Sequence, residues 1–415
     1  MGSVRLDFLL VVLLVLAISS RSYAKLQVRP PSARLVDTVW KIVDEKYVDV
    51  TYNGHSPAEI RKRFLDTAYS SDAEDRDAAR AMLELLGDPL TRLLDPVEFA
   101  SVAKEFNGEN ASIGLADPWT LRDETTGALK VLHVISGSPA FRMRVQPDDL
   151  IESIDDVPTK TMSRDEAFKR MAGKPGTVVR LSIRRGAKRR HVNVTRELLT
   201  VRTVSATTVT ESGPRFGYLA LSQFGKDSAQ EVRNALVEML KGSAEGIVLD
   251  LRNNPGGFVP ASREIAGLFL SGKAILYHSI DRTGSAKDFE STGVPLISEP
   301  LVIIVNGATA SAAEMLAAAL QDNHRAMLIG SQTFGQGLIH SVQPLPDASA
   351  VVIAIARFTT PAGKDVMHLG ITPDVVVASS EMNDPRGSAS APNRQYREAV
   401  GLLIAEITRS HKRVR

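Results

Sequence analysis

The sequence predicts an α+β multidomain protein with an N-terminal helical region, an inserted small β-barrel-like module and an α/β layered core. Three observations support this prediction. Residues 33–105 carry apolar side chains at helical spacing, residues 108–197 contain short β-type runs, and residues 215–380 alternate apolar strands with amphipathic helices. A chain of 415 residues is also too long for one hydrophobic core, so two or three domains are expected.

The composition argues against several classes of function. The chain is 43% hydrophobic and 24% charged, which is typical of a soluble globular protein. Its 50 basic and 48 acidic residues give a formal net charge of +2, which argues against nucleic acid as a partner. The lack of cysteine excludes a disulfide framework, a cysteine-based zinc site and a thiolate nucleophile. No metal-ligand spacing is present, and we expect neither a metal nor a cofactor.

The first 24 residues have the features of a signal peptide. Arg5 precedes an apolar run from Phe8 to Ile18, which is too short to span a bilayer. The small-x-small sequence Ser22-Tyr23-Ala24 follows and suits cleavage. An uncleaved anchor is the alternative interpretation. We expect export across one membrane, into a bacterial periplasm or a thylakoid lumen. No later segment is apolar enough to span, so an integral membrane protein is not expected.

The remainder of the chain divides into four parts by composition and pattern. They are an N-terminal helical region (25–107), a module of five short strands and one helix (108–198), the α/β core (199–380), and a linker with a final helix (381–415). In the core, “GIVLDLR” and “PLVIIVNG” are continuous apolar strands, as in a parallel sheet that is covered on both faces.

Two strand ends in the core contain candidate site residues. In open α/β sheets, sites lie beyond the carboxyl ends of the strands. The first stretch, Val248–Gly257, ends in glycines whose backbone N–H groups suit an oxyanion. The second, Val302–Glu314, places Ser311 at a helix start, which favours developing negative charge. A nucleophilic Ser311 and a plain N-cap serine are both consistent with this spacing. Glu314 and Asp322 are too far apart for paired carboxylate chemistry.

Five motifs occur in a fixed order along the core: “LDLRNNPGG”, “VNGATASAAEMLAAALQD”, “IGSQTFGQGLIHSV”, “FTTPAGKDV” and “GITPD”. In this order they resemble the carboxyl-terminal processing peptidases, which are tail-specific serine proteases. “DPLTRLLDPVEF” is similar to the N-terminal helical region of that family, and residues 108–198 resemble its PDZ domain. The resemblance implies a PDZ module that docks a substrate C-terminus by β-augmentation, beside a core that cuts peptide bonds with a serine–lysine pair.

The resemblance assigns roles to individual residues. Ser311 matches the nucleophile, and the backbone N–H groups of Gly257 and Ala312 match the oxyanion hole. Within “SIGL”, the loop that receives a terminal carboxylate is matched by Ser112, Ile113, Gly114 and Leu115. Some positions depart from the family pattern by the exchange of a small residue. Asp148 stands where glycine is usual, and Ala308 and Ala313 stand where glycine and serine are more frequent.

The main departure concerns the general base. The family places a lysine in an F-G-K-G stretch, and this chain has Gln336 at that position. A glutamine amide cannot take a proton from serine near neutral pH, whereas a buried lysine can. His340 stands where the family often has a supporting glutamine, and imidazole is suited to be a substitute base. On a regular strand the two positions lie about 13 Å apart. His340 would reach Ser311 only if the local backbone departs from that of the family. A partly exposed histidine without such a role is the alternative.

Two functions therefore remain open from the sequence. The first is a serine endopeptidase that recognises protein C-termini through its PDZ domain and cleaves near them. The second is a catalytically inactive pseudoprotease that binds C-terminal peptide tails. Both have the same partner, a protein or peptide with a free C-terminus. An unrelated binding scaffold is disfavoured because the motifs are too specific. The sequence identifies neither the individual substrate nor an oligomeric state.

Overall fold

The computed structural model describes residues 34–106, 111–115, 120–123, 125–131, 134, 138–162, 164–198, 203–211, 213–377 and 394–414. The predicted signal peptide and nearly all of the predicted linker lie outside these residues. Residue contacts divide the chain into two compact units. One unit combines Met1–Phe99 with Arg202–Arg415, and the other comprises Ala100–Val201.

Helices dominate the N-terminal part of the first unit. In chain order its elements are α1 (Leu35–Lys46), α2 (Pro57–Ile60), a π-helical turn (Arg61–Leu65), α3 (Asp72–Glu84), the short strand β1 (Arg92–Leu94) and α4 (Pro96–Phe106). Ser56 and Glu59 form a reciprocal capping box that begins α2. Val36, Val39 and Val43 recur at helical spacing and are fully buried. Between α3 and α4 the chain forms the short strand β1.

The unit Ala100–Val201 is built around one antiparallel sheet. Its elements after α4 are β2 (Ala111–Ser112), β3 (Thr120–Arg122), β4 (Leu129–Val131), α5 (Pro139–Arg142), β5 (Leu150–Ile154), β6 (Val157–Pro158), α6 (Arg164–Met171), β7 (Val178–Arg185), β8 (Lys188–Thr195) and β9 (Glu197–Leu198). The strand order is β3-β4-β5-β7-β8, with β6 paired to β5, and β2 pairs separately with β9. Fully buried Ile151, Leu181 and Val194 lie in its core.

The main sheet of the first unit is mostly parallel, as the sequence predicts. Its strands and covering helices are β10 (Val204–Thr210), β11 (Arg215–Leu221), α7 (Ser228–Lys241), β12 (Ile247–Asp250), α8 (Val259–Ala266), β15 (Leu301–Val305), α9 (Ala312–Asp322), β16 (Met327–Gly330), β19 (Val375–Val376) and α10 (Arg394–Val414). The order is β10-β11-β12-β15-β16-β19, and β10 alone is antiparallel to its neighbour.

Both faces of this sheet are covered, which explains its continuous apolar strands. Leu249 and Ile303 pack on the side of α7, α8 and α9. Val248 and Val302 point to the other side, where they meet Leu403 of α10. Successive strand residues face opposite sides of the sheet, so every residue from Ile247 to Asp250 is buried.

A second sheet in this unit was not predicted from the sequence. It contains β13 (Ile275–Asp281), β14 (Ala286–Glu290), β17 (Leu338–Pro344) and β18 (Ala350–Thr359), together with β1. β18 is its central strand and pairs with β1, β13 and β17. The pairing with β1 joins the N-terminal helical segment to the core, and β1 and β17 lie on opposite edges of β18.

Candidate active site

The two stretches singled out in the sequence meet at one edge of the main sheet. β12 and β15 are parallel neighbours, with Asp250 opposite Ile304. Their carboxyl ends therefore open at the same edge, where a site is expected in an α/β sheet. The loops that follow are also bonded to each other, because the Ala310 N–H donates to the Asn254 carbonyl at 2.9 Å. This bond places Ser311 beside the glycine pair of the first loop.

Ser311 has an unusual backbone conformation at the start of α9. Its φ of 56° and ψ of −116° lie outside the regions that residues with a side chain ordinarily adopt. Ser311 is fully buried, and its Oγ has no hydrogen-bond partner among the described residues. A strained turn from strand to helix with a free hydroxyl is the geometry that presents a nucleophile in other hydrolases.

Gly256 permits the first loop to touch Ser311. Gly256 has φ +99°, and an added Cβ would lie 2.8 Å from the Ala310 carbonyl oxygen and 2.9 Å from the Ser311 Cβ. These are distances that real Cβ atoms essentially never show. A side chain at position 256 would therefore displace the serine loop, in addition to the cost of the positive φ.

Gly257 and Ala312 each offer a backbone N–H. Gly257 forms a parallel bridge with Phe224, in which Phe224 N–H donates to Gly256 and Phe258 N–H donates to Phe224. In that pattern the N–H of the middle residue points away from the partner strand. Among the described residues, the N–H groups of Gly257 and Ala312 donate no hydrogen bond. Two unused donors that flank a hydroxyl can stabilise an oxyanion.

Glu314 connects the serine turn to the loop that carries Gln336. Its carboxylate accepts four hydrogen bonds. The Ser311 N–H and the Gln336 N–H donate to Oε2 at 2.8 Å each, while the Thr333 hydroxyl and the Gly335 N–H donate to Oε1 at 2.5 and 2.7 Å. Burial raises the pKa of this carboxyl above its ordinary value, although each of the four bonds favours the anion. Sequence reasoning missed this role, because the donors come from a distant segment.

Gln336 lies in the loop before β17, where the resemblance places the lysine. It is half-buried, and its N–H bond to Glu314 holds it close to Ser311. Because both N–H groups donate to the same oxygen, their nitrogens are separated by no more than twice 2.8 Å. The Gln336 amide is neutral and is not basic, so it cannot take the serine proton.

His340 is buried on β17 and pairs with Asp88. It is 1% exposed, so the alternative of a partly exposed histidine is wrong. Its Nε2 lies 2.8 Å from Asp88 Oδ2, and its Nδ1 is buried without a hydrogen-bond partner among the described residues. Asp88 also accepts from the Thr91 hydroxyl at 2.6 Å and from the Leu90 N–H at 3.1 Å. Asp88 lies in “DPLTRLLDPVEF”, but the local pattern of that motif does not mark it as a site residue.

A buried ion pair lies at the end of β12. Arg252 Nη2 donates to Asp250 Oδ2 at 2.5 Å, and the Tyr218 hydroxyl donates to the same oxygen at 2.6 Å. Burial and the neighbouring Asp250 carboxylate raise the pKa of Tyr218 well above its ordinary value. This network fixes the beginning of the loop that leads to Gly257. The opposite charges of Asp250 and Arg252 within “VLDLRNN” could have predicted this ion pair from the sequence.

The unit Ala100–Val201 contains the predicted peptide-binding loop. Ser112 ends β2, while Ile113 and Leu115 are buried in the core of the unit. Between them, Gly114 has φ +88°, and an added Cβ would lie 2.1 Å from the Ser138 Oγ. The Ile113 carbonyl accepts from the Ala140 N–H at 2.7 Å, which fixes the loop to α5. The next described strand along the chain, β3, is at the edge of its sheet.

Comparison with known proteins agrees with this architecture. Residues 215–377 match Peptidase family S41, and residues 130–185 match the PDZ domain family. A carboxyl-terminal-processing protease of a Picosynechococcus species is 38% identical over 88% of this chain and 88% of its own length. The corresponding protease of a Synechocystis species is 36% identical over 90% of this chain and 87% of its own length.

A solved structure agrees with these relatives. The photosystem II D1 C-terminal processing protease superposes with a TM-score of 0.58 at 32% sequence identity, over 83% of this chain and 92% of that chain. The combination defines a peptidase with a PDZ domain, which confirms the predicted α+β multidomain fold class. The chain belongs to the carboxyl-terminal-processing proteases of peptidase family S41.

Proposed function

We propose that this chain is a serine endopeptidase that recognises protein C-termini through its PDZ domain and cleaves near them. The observation that carries this proposal is the state of Ser311. Its backbone is strained at a helix start, and its buried hydroxyl has no hydrogen-bond partner among the described residues. Natural structures keep such a combination where a nucleophile needs it.

In the proposed reaction, Ser311 Oγ attacks the carbonyl carbon of the peptide bond that is cut. The carbonyl oxygen becomes negatively charged and accepts hydrogen bonds from the N–H groups of Gly257 and Ala312. Both groups are unused among the described residues, and α9 begins at Ala312, so the helix dipole favours the charge as well. Glu314 holds the serine turn against the neighbouring loop.

In the proposed recognition step, the N–H groups of the loop from Ser112 to Leu115 receive the terminal carboxylate of the substrate. The buried side chains of Ile113 and Leu115 and the positive φ of Gly114 support this role, because they leave the backbone to face a ligand. The substrate then adds a strand beside β3, whose outer edge is unpaired among the described residues.

The proposed location is a thylakoid lumen or a bacterial periplasm. It is supported by the signal-peptide features of residues 1–24 and by relatives that include chloroplastic peptidases of Arabidopsis thaliana. Among the described residues, the helices are either too short or too polar to cross a bilayer.

A second candidate function is favoured by Gln336. A chain without a base would bind C-terminal tails and leave them intact, as a pseudoprotease. The two functions differ in the reactivity of Ser311. A fluorophosphonate probe that labels Ser311 in the full-length chain, with labelling lost in Ser311→Ala, supports the peptidase.

The binding assay completes the test. A peptide with a free C-terminus is expected to bind at least tenfold more tightly than its amide. Such binding without any labelling of Ser311, and without cleavage of an unstructured protein, identifies the pseudoprotease and refutes the peptidase.

A further inference from the structure

We propose that Asp88 and His340 form the base for Ser311: Asp88 orients the imidazole, and His340 Nδ1 takes the serine proton. This inference rests on the proposed peptidase function and deepens it. It adds a positioning residue, Asp88, from the N-terminal segment, and it assigns to His340 the work for which Gln336 is chemically unsuited.

The contact between Asp88 and His340 fixes which nitrogen is basic. Asp88 Oδ2 lies 2.8 Å from His340 Nε2 and also accepts from the Thr91 hydroxyl. Burial by itself would raise the pKa of Asp88, but the bonds from His340, Thr91 and Leu90 outweigh it and hold the pKa below its ordinary value. An ionised carboxylate can only accept, so Nε2 carries the proton. In the neutral imidazole, Nδ1 then keeps its lone pair.

Two buried atoms, Ser311 Oγ and His340 Nδ1, are bonded neither to each other nor to another described residue, and they are chemically complementary. Among the described residues, Ser311 Oγ and His340 Nδ1 belong to a group of five buried side-chain polar atoms without hydrogen bonds. The three others are nitrogens of Arg76 and Arg263 and the hydroxyl of Thr360, all of which can donate. With Nε2 protonated in the neutral imidazole, His340 Nδ1 is the atom of that group that can accept but not donate. Buried orphans of this kind are rare and are expected at sites of chemistry.

The backbone between the two positions is not a regular strand. Gln336 and Gly337 lie in a loop, and β17 begins only at Leu338. The register with β18 then shifts between Ile339 and His340, where Ile355 is the extra residue on β18. Bulges redirect side chains and are frequent next to active sites. The spacing of a regular strand therefore does not extend from Gln336 to His340.

The charges around the pair suit an imidazole that is protonated during the reaction. Asp88 supplies the compensating negative charge. Lys46 on α1 is bonded to Gln343 at 3.0 Å, and burial raises the pKa of Tyr47 well above neutrality, so the phenol stays uncharged. A lysine at position 336 would add a second positive charge, whereas the neutral Gln336 adds none. The glutamine that rules out a lysine base is therefore compatible with a histidine base.

The proton and bond changes balance over two half-reactions. As Ser311 Oγ bonds to the scissile carbonyl carbon, its proton moves to His340 Nδ1. The imidazolium then gives that proton to the leaving amine as the carbon–nitrogen bond breaks. In the second half, water gives a proton to His340 and attacks the acyl carbon. The imidazolium returns the proton to Ser311 Oγ as the bond between the acyl carbon and Oγ breaks, and the shortened chain leaves with a new carboxyl terminus.

The test measures the rate at which a fluorophosphonate labels Ser311, and the cleavage of an unstructured protein, in full-length variants. His340→Gln is expected to slow both by at least about 100-fold. His191→Gln, the same exchange at an exposed histidine of the other unit, is expected to change neither rate. Gln336→Lys combined with His340→Gln recreates the lysine and supporting glutamine of the family. It is expected to restore both rates and so to show that the His340→Gln fold is intact.

Asp88 is tested by a measurement that a purely structural residue would not affect. Asp88→Asn is expected to lower kcat about 100-fold or more with little change in KM, because the asparagine amide favours the wrong imidazole tautomer. The labelling rate of the wild type is expected to depend on pH, and this dependence is expected to be lost in His340→Gln.

Two results overturn the inference in different ways. Labelling of the wild type that His340→Gln leaves unchanged overturns the base assignment alone and preserves the peptidase. If the probe does not label Ser311 in the wild type and the wild type does not cleave the protein substrate, the base assignment is overturned. This holds whatever the result for the double variant, Gln336→Lys with His340→Gln. If the double variant then labels and cleaves, the site has lost only its base. If it does not, the proposed peptidase function fails as well.

Discussion

Ser311 and Gln336 donate their backbone N–H groups to the same oxygen of Glu314, each at 2.8 Å. This shared acceptor joins the proposed nucleophile to the loop in which the family's lysine would stand. The loop therefore keeps its backbone position whether residue 336 carries an amine or an amide. A change of side chain at position 336 therefore alters the chemistry of the site and leaves the loop backbone in place.

Replacement of Glu314 tests whether its hydrogen bonds hold the serine turn and the loop of Gln336 in place. Glu314→Gln keeps the shape of the side chain but replaces one accepting oxygen with an amide NH2 group, which donates. The two groups that donate to that oxygen in the wild type would then have no acceptor. We expect the free energy of unfolding to fall by about 2–4 kcal/mol. We also expect probe labelling of Ser311 to drop at least tenfold. Urea unfolding and labelling rates measure the two effects.

A matched variant distinguishes the effect of losing the Glu314 carboxylate from the effect of losing any one negative charge. Glu299→Gln removes a carboxylate outside the site, where Glu299 Oε2 accepts from the Ser298 N–H at 2.9 Å. A Glu314→Gln protein with the stability and labelling rate of Glu299→Gln would contradict a structural role for the carboxylate.

The contact between Asp88 and His340 predicts a dependence of stability on pH. The pKa of Asp88 is lower in the folded chain than in the unfolded chain, so the unfolded chain takes up this proton first as the pH falls. The stabilisation is therefore complete above the ordinary aspartate pKa of about 4 and is lost below it, as the pH falls through the folded value. Asp88→Asn is expected to be less stable by about 2 kcal/mol at pH 7.

Urea unfolding between pH 3 and pH 7 measures this dependence. The stability difference between the wild type and Asp88→Asn is expected to shrink as the pH falls. A difference that stays constant over the whole range would mean that the ionised carboxylate of Asp88 contributes nothing.

The glycine beside Ser311 gives a steric prediction. In Gly256→Ala, the new Cβ would meet the Ala310 carbonyl and the Ser311 Cβ at less than 3 Å, at a φ of +99°. We expect a stability loss of about 2–4 kcal/mol and at least a 100-fold loss of Ser311 labelling, since the serine turn must move.

Gly284→Ala is the control for the backbone cost alone. Gly284 also has a positive φ, +79°, but nothing lies within 4 Å of an added Cβ. It is expected to lose about 1 kcal/mol and to label normally. Equal labelling rates in the two alanine variants would show that contact with the serine turn is unimportant.

The sequence predicted the parts of the site that depend on local pattern. Apolar strands followed by Gly257 and Ser311 are visible within short windows, and their parallel arrangement brings both strand ends to one edge. The contact between Asp88 and His340 joins residues from opposite ends of the chain. It arises because β1 and β17 both pair with β18, in a sheet that the sequence did not predict. The four donors to Glu314 likewise come together only through tertiary structure.

The peptide-binding loop gives the last prediction. In Gly114→Ala, the added Cβ would lie 2.1 Å from the Ser138 Oγ, which accepts from the Phe141 N–H at the start of α5. The loop and this helix cap cannot both keep their positions. We expect affinity for a peptide with a free C-terminus to fall at least tenfold, as measured by fluorescence anisotropy, while the labelling rate of Ser311 stays unchanged. Gly186→Ala, at φ +59° in a turn with open space around it, is the control. If both variants bind the peptide as tightly as the wild type, the loop from Ser112 to Leu115 is not the carboxylate-binding element.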